Sequence, residues 1–140
     1  MKYLVMMISL VAIGFFASSC ADDNTLNPSS KLSVDGQWTG AKDLLGLGDL
    51  EVEISLTELL DVIGGTGNLT LQTITHQALT LPLIVTGSFD SPDVTLNFTA
   101  SGISFVGKIS SDNKKMTGTL VSKDNPVLPD FETVYEFIKQ

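Results

Sequence analysis

The sequence contains no arginine and has only one cysteine, one tryptophan and one histidine. It carries 16 acidic residues against 8 basic ones, which argues against nucleic-acid binding because phosphate neutralisation requires clustered positive charge. A single cysteine cannot form a disulfide within the chain, so the fold depends on its hydrophobic core. No nucleophile motif surrounds the histidine, His76. We therefore expect neither a catalytic triad nor a zinc site, and a non-enzymatic protein without a metal or cofactor.

The acidic residues show no recognisable calcium-binding pattern. They lack the Asp-x-Asp-x-Asp-Gly spacing of a dedicated calcium loop. Glu51 and Glu53 alternate with apolar residues, as side chains on the solvated face of a strand do. Nothing in the spacing selects a carboxylate pair for glycoside hydrolysis.

Long hydrophobic runs are also scarce. The uncharged segment over residues 3–16 is shorter than the roughly 20 residues that a membrane-spanning helix needs. It follows Met1 and Lys2 and precedes the small residues Ala17, Ser18 and Ser19. This layout is typical of a secretory signal peptide, and we predict one over residues 1–19. The alternative is a permanent N-terminal membrane helix.

The residues Ala17-Ser18-Ser19-Cys20 resemble the lipobox of bacterial lipoproteins. In that family the cysteine sulfur receives a diacylglyceryl group, the signal is cut just before the cysteine, and the new amino end is usually acylated. The resemblance implies that Cys20 is the lipidation site and the first residue of the mature protein. A thiolate suits this role as a strong nucleophile, and two or more acyl chains anchor a protein that one chain holds only marginally. The alternative is an ordinary free thiol.

Residues 20–35 are rich in Asp, Asn, Ser and Pro, which predicts a flexible tether behind the lipidated cysteine. Ala21-Asp22-Asp23 resembles the acidic export signal of surface lipoproteins of the Bacteroidota. These resemblances imply a protein of the bacterial cell envelope, anchored to the outer membrane and exposed at the surface. The alternative for the acidic residues is a solvated linker.

From residue 36 onward the dominant hydrophobic period is two. Over residues 50–57, for example, leucine, valine and isoleucine alternate with glutamate, serine and threonine, as in a half-buried antiparallel strand. The pattern predicts about eight strands: 36–42, 49–58, 62–73, 79–89, 93–100, 102–110, 115–123 and 131–139. Two alternatives stay open, a helix for the last segment and a helical turn within Leu56–Ile63.

A glycine–polar–apolar triplet recurs about every twenty residues, the length of one hairpin. Its glycines are Gly48, Gly67, Gly87 and Gly107, with a further copy at Gly118. Glycines inside strands suit the bends of a sheet that curls on itself. We therefore predict one domain over residues 36–140, an all-β up-and-down meander of about eight strands that closes into a small barrel. An open two-sheet sandwich is the alternative.

Gly36-Gln37-Trp38 resembles the G-x-W signature at the first strand of the lipocalin and wider calycin superfamily. The resemblance implies a lipocalin-like barrel that holds a small apolar molecule or contacts a protein partner. In that family an arginine near the end of the last strand packs over the tryptophan. In this chain Lys139 is the residue available for that role.

Two functions follow from this fold prediction. In the first, the barrel encloses a small apolar ligand, with small inward residues such as Gly40, Ala100 and Gly107 leaving room for it. The predicted ligand contacts are Trp38, Val52, Ile54, Leu83, Val85, Phe98, Phe105 and Leu120. In the second, side chains simply fill the interior, and the outer strands dock onto another envelope protein.

Overall fold

The structure is a computed structural model that describes residues 31–99 and 101–140. Within these ranges the chain forms strands and no helix, and hence no helix long and apolar enough to cross a membrane. The strands are β1 (Gly36–Leu44), β2 (Gly48–Leu59), β3 (Val62–Thr73), β4 (Ala78–Asp90), β5 (Asp93–Thr99), β6 (Ile103–Ile109), β7 (Lys115–Ser122) and β8 (Phe131–Lys139). The all-β prediction is confirmed, and the last segment is a strand.

Each strand pairs antiparallel with its neighbours in sequence, and β1 also pairs with β8, so the sheet is a closed barrel. The predicted up-and-down barrel is confirmed, and it is compatible with the lipocalin resemblance. The open sandwich is wrong, because pairing of the first and last strands removes the free edges that a sandwich would keep. This closing seam is short, with Trp38 opposite Lys139 and Thr39 opposite Ile138.

The β2–β3 hairpin corrects the alternative of a helical turn within Leu56–Ile63. Both strands continue to a two-residue turn, in which Leu60 and Asp61 have positive φ values of 50° and 64°. Such left-handed turns match the twist of the flanking strands, whereas a helical turn would splay them. The backbone N–H of Phe89 donates to the carbonyl of Asp61 at 2.9 Å, which fixes the turn against β4.

One hydrophobic core fills the barrel, built from the inward-facing side chains of every strand. Its largest members are aromatic. The ring of Phe137 meets Phe105 edge-on at a centroid distance of 5.1 Å and Tyr135 at 4.9 Å. Such edge-to-face pairs are favourable because the positive ring edge faces the negative ring face.

We name the two ends of the barrel by their connections. The N-terminal end carries the start of β1, the end of β8 and the β2–β3, β4–β5 and β6–β7 connections. The loop end carries the β1–β2, β3–β4, β5–β6 and β7–β8 connections.

At the N-terminal end, Leu32–Asp35 precede β1 and pack against the barrel. Val34 is fully buried, and its carbonyl accepts a hydrogen bond from Nε1 of Trp38 at 2.7 Å. The backbone N–H of Ser33 donates to Oδ1 of Asn113, in the β6–β7 connection, at 3.1 Å. These four residues, which the sequence analysis assigns to the tether, therefore belong to the barrel.

At the loop end, Leu128 from the long β7–β8 connection is buried with the core. Asn125 holds this connection in place. Its Oδ1 accepts from the backbone N–H groups of Val127 and Leu128 at 2.8 and 2.7 Å, and its Nδ2 donates to the carbonyl of Ser101. Each end of the barrel thus receives a buried aliphatic side chain from outside the strands.

Candidate functional site

The residues predicted to contact a ligand all lie inside the barrel. Each exposes at most 3% of its surface: Trp38, Val52, Ile54, Leu83, Val85, Phe98, Phe105 and Leu120. A cavity large enough for a water molecule would itself add accessible surface to the residues that line it. The interior around these eight residues is therefore filled by protein side chains, at the close packing usual for a core.

The space beside the inward glycines is occupied by aromatic rings. A Cβ atom at Gly40 would lie 2.4 Å from Cε1 of Tyr135, and one at Gly107 would lie 2.7 Å from Cζ of Phe105. Ala100, another small position predicted to leave room, lies outside the described residues. The space beside these glycines is thus filled by aromatic rings of the protein itself, and a ligand would have to displace those rings.

Two polar groups in the interior have no hydrogen-bond partner among the described residues, the hydroxyls of Tyr135 and Ser122. Burial raises the pKa of the Tyr135 phenol far above its usual range. The backbone N–H of Val52 opposes this rise without meeting hydrogen-bond geometry to the phenol oxygen, and the charge of Glu51 adds to the rise. A buried hydroxyl without a hydrogen-bond partner lowers the stability of the fold. These two hydroxyls are therefore the positions in the interior at which a polar atom of a ligand would bind favourably.

Lys139 lies where the lipocalin resemblance places a cationic residue. Its Nζ atom is 5.1 Å from the centroid of the Trp38 ring, a cation–π distance. The two residues face each other across the β1–β8 seam. Lys139, which the sequence analysis named as the cation available to pack over Trp38, is therefore in position, with lysine in place of arginine.

The outer surface of β1 and β2 is acidic and shallow. Asp49, Glu51 and Glu53 are exposed along β2, as their alternation predicts. An open groove of about 450 Å³ runs across β1–β3 between side chains that include Glu53 and Asn68. Among the described residues no three His, Cys, Asp or Glu side chains are grouped to hold a metal ion. His76 is exposed in the β3–β4 turn.

The outer surface of β3–β6 differs in carrying almost no charge. Residues 62–89 and 94–107 contain no Asp, Glu, Lys or Arg. We call this surface the uncharged wall. Its exposed side chains include Thr66, Asn68, Thr80, Pro82, Ile84, Thr86, Ser88, Asn97, Thr99 and Val106.

The wall is continuous from strand to strand. Thr66, Ile84 and Thr99 lie side by side on β3, β4 and β5, and Thr95 lies opposite Val106 on β6. Ile84 and Val106 are among the most exposed aliphatic side chains of the barrel. Between the charged residues at its margin, Asp90, Asp93 and Lys108, this half of the circumference therefore presents only hydroxyl, amide and aliphatic groups.

No protein-family model matches the sequence, and no curated protein matches it. The resemblance to lipocalins therefore rests on the Gly36-Gln37-Trp38 residues and on the closed barrel. Because one fold hosts many functions, the function has to be argued from this chain's own surfaces.

The sequence analysis missed the uncharged wall, although its signal was present. The hydrophobic periodicity of residues 62–107 shows which side chains face the core. The wall, in contrast, is defined by the lack of charge among the outward-facing side chains. A count of charged residues along the chain finds only Asp90 and Asp93 in this range. The predicted signal peptide over residues 1–19 and the predicted lipidation site Cys20 lie outside the described residues.

Proposed function

We propose that this chain is a non-enzymatic lipoprotein of the bacterial cell envelope whose barrel docks onto another envelope protein. The observation that carries the docking role is the filled interior, in which none of the eight predicted ligand contacts exposes more than 3% of its surface. The lipobox resemblance at Cys20 supports an anchor in the outer membrane. The acidic segment Ala21-Asp22-Asp23 supports exposure at the cell surface.

The uncharged wall is the docking surface of this proposal. The chain has a formal net charge of −8, and ions buried at an interface without partners are costly. A partner that covers residues 62–89 and 94–107 of β3–β6 buries no charged side chain of the barrel, and it buries the exposed side chains of Ile84 and Val106. The central areas of protein interfaces are likewise depleted in charged residues.

Site-specific photo-crosslinking in intact cells tests the docking surface. A photoreactive amino acid replaces Thr86 on the wall or, as a matched control, Glu51 on the acidic face, both of which are exposed strand residues. We expect one crosslinked envelope protein from position 86 and none from position 51. Equal crosslinking from both positions, or none from either, would contradict a specific docking wall.

The anchor has its own test. Cys20→Ser removes the thiol to which the lipid would be attached, so we expect the protein to leave the membrane fraction. The intact mass of the unsubstituted protein should include a diacylglyceryl group and lack residues 1–19. An unchanged membrane fraction for Cys20→Ser would exclude the lipid anchor.

Binding of a small apolar ligand is the second candidate, and the unpartnered hydroxyl of Tyr135 is the observation that favours it. Such a ligand would have to separate the rings around Phe137 and offer a polar atom to this hydroxyl. Native mass spectrometry and organic extraction of the purified protein distinguish the two functions. A stoichiometric lipid would support a carrier, and an empty barrel would support the docking module.

A further inference from the structure

The β2–β3 turn at the N-terminal end exposes an unusual group of aliphatic side chains. Leu59, Leu60 and Val62 are 73%, 87% and 64% exposed, and only Asp61 interrupts them. Single exposed aliphatic residues are common on protein surfaces, but three within one turn form a patch. We call Leu59–Val62 the aliphatic turn.

Turn geometry does not account for these residues. A two-residue turn with both φ angles positive favours Asn and Gly, and a bulky residue there is strained. Leu60 nevertheless has a φ of 50° in this turn. Leucine is thus unfavourable here for the backbone and unfavourable in water, which indicates a contact with something apolar outside the barrel.

The aliphatic turn is held in a defined position. The carbonyl of Asp61 accepts the Phe89 N–H at 2.9 Å, and Leu59 pairs with Val62 in the β2–β3 register. The leucine side chains are therefore presented outward by a fixed hairpin.

The turn lies beside the place where the N-terminal segment reaches the barrel. Oε2 of Glu58, the residue before Leu59, accepts from Oγ of Ser33 at 3.3 Å and from the backbone N–H of Val34 at 3.4 Å. Even fully extended, the chain from Cys20 to Leu32 spans only about 40 Å, at roughly 3.3 Å per residue. A lipid on Cys20 would thus hold Leu32, at the end of the barrel that carries the aliphatic turn, within about 40 Å of the membrane surface.

We propose that the aliphatic turn inserts into the lipid surface to which Cys20 is anchored, so that the barrel stands on its N-terminal end. This inference rests on the anchor of the proposed function and adds a second membrane contact to it. The anchor makes insertion of the turn an intramolecular event, which lets a patch that is too small for stable binding from solution stay engaged.

Tryptophan fluorescence on vesicles tests the orientation. The full chain, expressed with its own signal, is purified and reconstituted into phosphatidylcholine vesicles with and without brominated acyl chains. Leu60→Trp reports the aliphatic turn, and Leu59→Trp serves as a second reporter. Leu45→Trp is the matched control, since Leu45 is 92% exposed in a connection at the loop end. The unsubstituted protein gives the background of Trp38, which is fully buried.

We expect brominated lipid to quench the emission of Leu60→Trp and Leu59→Trp by at least twofold, with a blue shift, and to leave Leu45→Trp at the background of Trp38. Equal quenching at positions 60 and 45, or none at 59 and 60 in a folded, lipidated protein, would overturn the proposal. Circular dichroism shows whether each variant is folded.

The mass of the protein separates this inference from the anchor itself. If the mass includes the diacylglyceryl group but the turn is not quenched, the inference fails and the anchor stands. If the group is missing, the anchor of the proposed function fails. The thiol of Cys20, the only cysteine of the chain, can then be coupled to a maleimide lipid, and the same quenching comparison decides whether the turn inserts.

Discussion

The ammonium nitrogen of Lys139 lies 5.1 Å from the centre of the Trp38 ring, where the last strand of the barrel meets the first. The same indole donates its N–H to the carbonyl of Val34 at 2.7 Å. One tryptophan thus joins the first strand, the last strand and the segment that covers the N-terminal end. The β1–β8 seam contains few paired residues, and the backbone N–H of Gln140 adds a bond to the carbonyl of Gln37 at 3.0 Å, so the contact of Lys139 with Trp38 adds to a short closing ladder.

Lys139→Ala should destabilise the barrel by about 0.5–1 kcal/mol, because it removes the cation from the Trp38 ring. Lys139→Arg should retain the stability, since a guanidinium also stacks on aromatic faces. Urea denaturation followed by Trp38 fluorescence measures both changes. Lys123→Ala, an exposed lysine at the loop end, is the control, and an equal loss there would argue against a specific contact.

Gly40→Ala should destabilise the protein by about 1–3 kcal/mol, because the added methyl would collide with Tyr135 and the carbonyl of Glu136. Gly64→Ala is the matched control, since a Cβ at Gly64 meets no atom within 4 Å. Thermal unfolding of the two variants gives the comparison. A similar melting temperature for both would mean that the β1–β8 seam yields to the methyl group.

The eight strands were predictable because the sheet is half-buried throughout. Each strand must place apolar residues at every second position, and this pattern is local in the sequence. The segment predicted over 131–139 is β8 (Phe131–Lys139), and the other predicted bounds differ from the observed ones by no more than about two residues. Closure of the barrel was predicted from the number of strands and from the repeat of about twenty residues, which is the length of one hairpin.

The departures from prediction come from contacts between distant residues. Leu32–Asp35 looked like tether because their composition is polar, but Ser33 bonds to Asn113, 80 residues further on. The inward orientation of the predicted ligand contacts was also visible in the alternation. The alternation could not show whether the interior is open or filled. That depends on which aromatic ring lies over which glycine, as the ring of Tyr135 lies over Gly40.

Leu128→Ala should cost about 2–5 kcal/mol, the range for a buried leucine whose neighbours cannot fully close the cavity. Its neighbour Val127 is exposed in the same connection, so Val127→Ala should be nearly neutral. Urea denaturation of both variants tests the role of Leu128 as a cover of the loop end. Two equally small losses would show that this connection contributes little to the core.

Tyr135→Phe should leave the stability at neutral pH unchanged or raise it. The substitution removes a buried hydroxyl without a partner among the described residues and keeps the ring against Phe137. Leaving such a group unsatisfied costs about 1–3 kcal/mol, so its loss removes a penalty. A ligand bonded to this hydroxyl would reverse the result, since the variant would then lose both the ligand and stability.

Tyr135 should also make the barrel sensitive to alkali. Its pKa is raised above the ordinary value of 10.0 in the folded protein, so above about pH 10 the unfolded chain releases the phenol proton while the folded chain keeps it. The unfolded state then binds fewer protons, and stability must fall as the pH rises further. Urea denaturation from pH 8 to 11 should show this fall in the unsubstituted protein and a smaller one in Tyr135→Phe. Parallel pH profiles would mean that water or a ligand reaches the hydroxyl, and the interior would then have to be regarded as open.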